Sequence, residues 1–225
     1  MLLAASHAAL GDARGDLGTA ALAFEQAALR LQDSDARPKD IVRWTQPIYY
    51  AGQNASASPG IERKTLAAVK RIAAIAGVAL EEVVSSDPRV NLRVFLTDHE
   101  APATPGQAGV QTCYSLVSWK AFAITLVDLY ISFSQIGQID RCVVHEALHG
   151  FGFQSHPHSG DSILSYVYNR SDLTVLDRLL IETLYDRRLS PGMPRAAAAK
   201  AACRILGEKM STPAADIEEV CSQRK

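Results

Sequence analysis

Apolar residues recur at helical spacing in several stretches of the chain. The first predicted helix covers residues 10–31, where one face carries Leu17, Ala21, Phe24, Ala28 and Leu31. Further helices are predicted over residues 61–76, 136–151 and 172–188, with two short Ala-rich helices over 194–222. Gly77 is expected to end the second helix, and Ser171 or Asp172 to cap the fourth.

Alternating and continuous apolar runs predict the strands. Apolar side chains at every second position predict a strand over residues 90–96, and further strands are predicted over 41–50, 111–119 and 123–133. Residues 33–38 have the composition of a linker. Strands mixed with helices up to about residue 135, and mostly helices afterwards, favour an α/β lobe followed by a smaller helical lobe.

This order predicts three segments. Residues 1–37 form an N-terminal helical extension, residues 38–152 an α/β lobe, and residues 153–225 a C-terminal lobe. Trp44 and Trp119 are interpreted as strand or core aromatics.

Composition and charge exclude several classes of protein. Of the 225 residues, 48% are hydrophobic and 21% charged, so the chain can bury a sizeable core. The formal net charge of -1 provides no basic field for nucleic acid. No apolar run reaches the ~18 residues that a transmembrane helix needs. The sequence therefore predicts a globular domain without a transmembrane segment or nucleic-acid partner, and it predicts no particular oligomeric state.

The N-terminus and the four cysteines bear on the cellular compartment. The first ten residues are apolar and small, with no basic residue before Arg14, so they are either the remnant of a secretory signal or the start of the first helix. Four cysteines allow three connectivities, of which one joins Cys203 to Cys221 and Cys113 to Cys142. The alternative is four reduced, buried thiols. An oxidising compartment is favoured, which predicts a secreted or periplasmic bacterial protein.

Four of the six histidines fall between residues 145 and 158. On a helix, His145 and His149 share one face and can direct an imidazole nitrogen at the same Zn²⁺ ion. Glu146 lies one residue further round, where it can reach a metal-activated water as general base without being a ligand. A catalytic zinc site needs a third protein ligand and an open position. Gly152 is expected to end the helix and turn the chain back towards His156.

These residues resemble the metzincin zinc peptidases, whose pattern is His-Glu-x-x-His-x-x-Gly-x-x-His followed by a Met-turn. His145, Glu146, His149 and Gly152 match in register. The segment 162–166, Ser-Ile-Leu-Ser-Tyr, resembles the Met-turn of several members. The resemblance covers roughly residues 136–190. The segment from Leu173 to Met193 also resembles a family of exported, uncharacterised bacterial proteins with the His-Glu-x-x-His-x-x-Gly motif.

The resemblance implies a metzincin-like α+β or α/β fold: a mixed, mostly parallel sheet with a backing helix and an active-site helix, then a smaller helical lobe. His156 comes one residue later than the family's third histidine, and a bulge in the loop could absorb the extra residue. It ranks first as third ligand, ahead of His158 and then Asp161. Leu164 stands where the family has its Met, a change of similar volume. In some metzincins a Tyr at the position of Tyr166 binds the metal or stabilises the oxyanion.

The prediction is a zinc-dependent peptidase that acts on a peptide or protein substrate. Glu146 takes a proton from the attacking water and delivers it to the leaving amine. The substrate is expected to pair with an edge strand around residues 123–133. Asp177 is expected to brace helix packing or make an outer-shell hydrogen bond. Two alternatives stay open: an exported zinc-binding or interaction protein without peptidase activity, and a non-metal protein whose histidines cluster by chance.

Overall fold

The computed structural model describes residues 3–31, 34–38, 40–54, 58–97, 113–132 and 136–224. Its helices are α1 (Leu3–Ala28), α2 (Pro59–Ala76), α3 (Ile139–Gly150), α4 (Val175–Leu184), α5 (Arg195–Lys209) and α6 (Ala214–Ser222). Its strands are β1 (Arg30–Leu31), β2 (Ser34–Pro38), β3 (Ile48–Gly52), β4 (Leu80–Glu82), β5 (Leu92–Thr97), β6 (Cys113–Lys120) and β7 (Ala123–Ser132). A short 3₁₀ turn at Ile136–Gln138 leads into α3. Within the described residues, no helix has the length and apolar character to cross a membrane.

Five strands form one sheet in the order β4-β3-β5-β7-β6. All neighbouring pairs are parallel except β6 and β7, which are antiparallel. The prediction of a mixed, mostly parallel sheet is therefore confirmed. The prediction of an edge strand around residues 123–133 is wrong, because β7 pairs with β5 on one side and β6 on the other. Among the described strands, β6 lies at that edge.

One face of the sheet carries the core beneath α3. Val127, Leu129 and Ile131 on β7 are fully buried and stand on the same face as Leu92, Val94 and Leu96, their parallel neighbours on β5. Gly150, at the end of α3, allows the helix backbone to approach this face, because a Cβ there would lie 3.1 Å from Cγ1 of Val127. The sheet therefore holds the carboxyl-terminal end of α3 at close range.

The chain folds as two compact units. One unit comprises Val42–Phe153 and Asn169–Leu173, and contains the five-stranded sheet with α2 and α3. The other comprises Met1–Ile41, Gln154–Tyr168 and Thr174–Lys225. In that unit, α1 packs against α4, α5 and α6.

Both cysteine pairings predicted from the sequence are present as disulfides. Cys113 on β6 is joined to Cys142 on α3, with their Cα atoms 5.9 Å apart. Cys203 on α5 is joined to Cys221 on α6, with their Cα atoms 5.6 Å apart. One crosslink therefore anchors α3 to the edge of the sheet, and the other joins the last two helices.

Several local predictions differ from the structure. The predicted linker at 33–38 is wrong, since β2 pairs antiparallel with β1. The predicted strand at 41–50 begins only at Ile48, and the three-residue β4 was not predicted because it is too short to show a period. Residues 111, 112 and 133 of the predicted strands lie outside the described residues.

The predicted cap of the fourth helix is also wrong, because α4 begins after Thr174. The Thr174 side chain accepts a hydrogen bond from the backbone N–H of Asp177, and the Asp177 side chain accepts one from the backbone N–H of Thr174. This reciprocal capping box leaves Asp172 outside the helix, where it forms an ion pair with Arg71.

Candidate functional site

The candidate site is built on the buried face of α3. His145, Glu146 and His149 are each less than a tenth exposed, although histidine and glutamate are usually found at surfaces. The Nε2 atoms of His145 and His149 lie 3.1 Å apart, one helical turn from each other. The helix therefore aims two imidazole nitrogens at one point.

The end of α3 fixes the orientation of the His149 ring. Its Nδ1 lies 2.5 Å from the carbonyl oxygen of Phe153, to which it donates as Nδ1–H. Gly152, with φ of 110°, provides the turn that brings this carbonyl back towards the helix, and its N–H donates to the carbonyl of His149. A proton on Nδ1 leaves Nε2 with its lone pair, which is the form that binds a metal.

The spacing of these nitrogens fits a shared tetrahedral metal ion. Two nitrogens bound to one zinc at about 2.0–2.1 Å lie about 3.3 Å from each other, close to the observed 3.1 Å. The ligand nitrogens of His145, His149 and His156 all lie within 4.8 Å of one another, so these three residues could hold a metal ion. Within the described part of the chain, this group includes neither His158 nor Asp161.

The segment after α3 carries His156, His158 and Tyr166, the other residues predicted for the site. The His156 ring lies 4.2 Å from the Tyr166 ring, centroid to centroid, and Tyr166 is 61% exposed. The backbone N–H groups of Gln154 and Ser155 both donate to the carbonyl of Ala27, which holds the start of this segment. His158 is exposed, and its backbone N–H donates to Oε1 of Gln26 at 3.0 Å.

Glu146 is held on the side of α3 that faces β6. Burial raises the pKa of Glu146 to about 7, and a hydrogen bond from the Ser115 hydroxyl partly offsets this rise. A carboxyl group with a pKa near neutrality is suited both to accept and to release a proton. This face therefore carries two histidines that could bind a metal ion, beside a carboxyl group whose pKa lies near neutrality.

The segment that resembles a Met-turn is fixed by Asp177. The buried Asp177 carboxylate accepts hydrogen bonds from the Ser162 hydroxyl at 2.5 Å and from the Ile163 backbone N–H at 3.1 Å. Leu164 is 1% exposed, and its N–H donates to the Ser162 hydroxyl at 3.1 Å. Asp177 therefore braces this turn, in agreement with its predicted structural role.

The sequence analysis did not predict the contacts of two residues near α3, Ser115 and Trp44. Ser115 was not singled out, because a serine in a strand gives no sign of the helix residue it will meet. Trp44 was interpreted as a strand or core aromatic, and it is buried, but its indole Nε1 also donates to the carbonyl of Gly150 at 2.9 Å. No local pattern encodes either contact, since the partners are 31 and 106 residues apart.

Comparisons with known proteins place the chain in a family. A search of curated proteins finds no match to it. Among solved structures, the chain is similar to the crystal structure of myroilysin, at 16% sequence identity and a TM-score of 0.45, over 73% of this chain and 93% of that one. A protein-family model described as "Protein of unknown function (DUF2927)" matches residues 19–203. The chain therefore belongs to the DUF2927 family.

Proposed function

We propose that the chain is a zinc-dependent, metzincin-like peptidase. His145, His149 and His156 would hold the ion, and Glu146 would carry the proton. The observation that carries the proposal is the 3.1 Å separation of the His145 and His149 Nε2 atoms on the buried face of α3. Two buried imidazole nitrogens at this spacing can both bind one divalent metal ion.

The donor set favours zinc among the common biological metals. Imidazole nitrogens suit zinc and other transition metals, whereas magnesium and calcium prefer oxygen ligands. A bound zinc ion would polarise a water molecule and the substrate carbonyl. Three histidines leave a fourth position open for this chemistry.

Glu146 is the proton carrier in this proposal. It lies next to His145 in sequence, and its side chain is buried and hydrogen-bonded, so it is held in place. It takes a proton from the attacking water as the water oxygen forms its bond to the peptide carbonyl carbon. It then delivers that proton to the leaving nitrogen as the carbon–nitrogen bond breaks. Tyr166, which stacks on His156, is proposed to donate a hydrogen bond to the carbonyl oxygen as negative charge develops.

An extended peptide is the proposed substrate. Among the described strands, β6 is one of the two edge strands of the five-stranded sheet, and its outer backbone groups offer a row of hydrogen-bond partners. Leu116 and Trp119 on β6 are 50% and 40% exposed, which supports contact with apolar side chains of the peptide. The two disulfides support export to an oxidising compartment as part of the proposal.

A cleavage assay tests the proposed function. Zinc-loaded wild type, Glu146→Gln and the control Glu82→Gln are compared on a broad peptide library with cleavage sites read by mass spectrometry. Glu82 is a half-exposed carboxylate on β4, paired with Lys70, so its substitution removes one charge away from α3. We expect cleavage by wild type and Glu82→Gln, and a loss of about 100-fold or more in Glu146→Gln. Equal cleavage by wild type and Glu146→Gln would contradict the role of Glu146. Stoichiometric zinc without cleavage would favour the zinc-binding protein without peptidase activity.

A further inference from the structure

Three positions on β6 face three positions on α3 in the same order. Cys113, Ser115 and Val117 are cross-strand partners of Ile131, Leu129 and Val127, so they stand on the face that packs against α3. Cys113 is bonded to Cys142, and the Ser115 hydroxyl donates to Glu146. Gly150 is the third position on α3, because it packs against Val127, the cross-strand partner of Val117.

The rise per residue of a helix and of a strand explains why successive positions on α3 and β6 remain opposite each other. Cys142, Glu146 and Gly150 are each four residues apart, which corresponds to about 6 Å along a helix. Cys113, Ser115 and Val117 are each two residues apart, which corresponds to about 6.6 Å along a strand. A crosslink at the first pair therefore brings Ser115 opposite Glu146 at the second.

We propose that Ser115 is a positioning residue for the Glu146 carboxylate, and that the Cys113–Cys142 disulfide sets the register that holds the two side chains together. The inference rests on the proposed function of Glu146 as proton carrier. It adds a partner that orients the carboxylate and a covalent bond that keeps that partner in place. Ser115 has no direct part in the reaction, since it acts through Glu146.

Single substitutions of Ser115 test the hydrogen bond. In Ser115→Ala the carboxylate loses its donor, so we expect kcat to fall about tenfold while KM changes less than about twofold and zinc content is unchanged. Ser115→Thr keeps a hydroxyl group and should recover most of kcat. Ser85→Ala is the control, because Ser85 is exposed just after β4, at the opposite edge of the sheet from β6, and should show wild-type kinetics.

The two disulfides provide a second matched comparison. They close chain segments of similar length, with cysteines 29 and 18 residues apart. We expect Cys113→Ala/Cys142→Ala to lower kcat about tenfold, and adding Ser115→Ala to that variant to lower it by less than about a further threefold. Cys203→Ala/Cys221→Ala removes the other crosslink and should leave kcat unchanged.

Crystal structures of metal-free wild type, Ser115→Ala and Ser115→Thr give a readout that is independent of activity. The inference predicts that the Glu146 carboxylate leaves its wild-type position in Ser115→Ala and keeps it in Ser115→Thr. An unmoved carboxylate in Ser115→Ala would overturn the inference, and so would an unchanged kcat in an active enzyme. If the wild type cleaves no peptide, the proposed function fails, while the crystal structures still decide whether Ser115 positions Glu146.

Discussion

Trp44 donates a 2.9 Å hydrogen bond from its indole Nε1 to the backbone carbonyl of Gly150, at the end of the helix that carries the two histidines. The last carbonyl groups of a helix have no partner within the helix, and a buried one costs free energy if it stays unpaired. Trp44 therefore satisfies the end of α3 one residue after His149. The same turn carries the Phe153 carbonyl that orients the His149 ring.

Removing this donor should destabilise the protein. Trp44→Phe keeps an aromatic ring in the core but leaves the Gly150 carbonyl without the indole N–H. We expect the free energy of unfolding to fall by about 1–3 kcal/mol, measured by urea denaturation. The control Trp119→Phe changes a tryptophan that is 40% exposed and should cost less than about 0.5 kcal/mol. Equal stability of Trp44→Phe and wild type would show that the hydrogen bond contributes nothing.

The third metal ligand can be identified by zinc retention. We expect His156→Ala to weaken zinc binding by about 100-fold or more, because the site loses one of three protein ligands. His158→Ala should retain zinc as the wild type does, since His158 is exposed and outside the three-histidine group. Competition with a chelating dye measures both affinities. The assignment of His156 would be wrong if His158→Ala lost zinc and His156→Ala kept it.

Asp186 predicts a pH-dependent contribution to stability. Hydrogen bonds from Arg188 lower the pKa of Asp186 from 3.8 to about 2 in the folded protein. Because the pKa is lower in the folded protein, ionised Asp186 stabilises the fold at pH values above its ordinary pKa of 3.8. This stabilisation is lost as the pH falls from there through about 2. Because Arg188 is partly exposed, we expect Asp186→Asn to cost at most about 1 kcal/mol at neutral pH.

Urea denaturation at about pH 7 and about pH 3 measures this effect. The difference between wild type and Asp186→Asn should shrink as the pH falls. The control Asp140→Asn removes a carboxylate that is 60% exposed, and its difference from wild type should stay small at both pH values. A difference for Asp186→Asn that grows on acidification would contradict the assigned direction.

Strong local patterns predicted the elements that carry the site. The apolar period around Val69 and Ile72, together with Gly77, indicated α2, whose end is capped by Gly77 with φ of 66°. The alternation of buried and less buried positions predicted β5, and the four-residue spacing of the histidines predicted that they share a face of α3. In each element the residues of the buried face recur at one regular interval. The cysteine pairing was one of three connectivities that the sequence allowed, and the structure has that one.

Long-range pairing was not predicted from the sequence. The position of β7 between β5 and β6 depends on which backbone edges pair, and side-chain alternation carries no information about strand order. The β1–β2 pair was missed because β2, Ser34–Pro38, has the composition of a linker. Ser115 was missed for a related reason, since its contact with Glu146 exists only once α3 lies against β6.

A crystal structure of the zinc-loaded chain would show the proposed metal site itself. We expect one zinc ion bound by the Nε2 atoms of His145 and His149 at about 2.0–2.1 Å, with His156 as third protein ligand and an open position beside Glu146. Zinc bound away from His145 and His149, or no ion at these histidines after loading, would contradict the proposal.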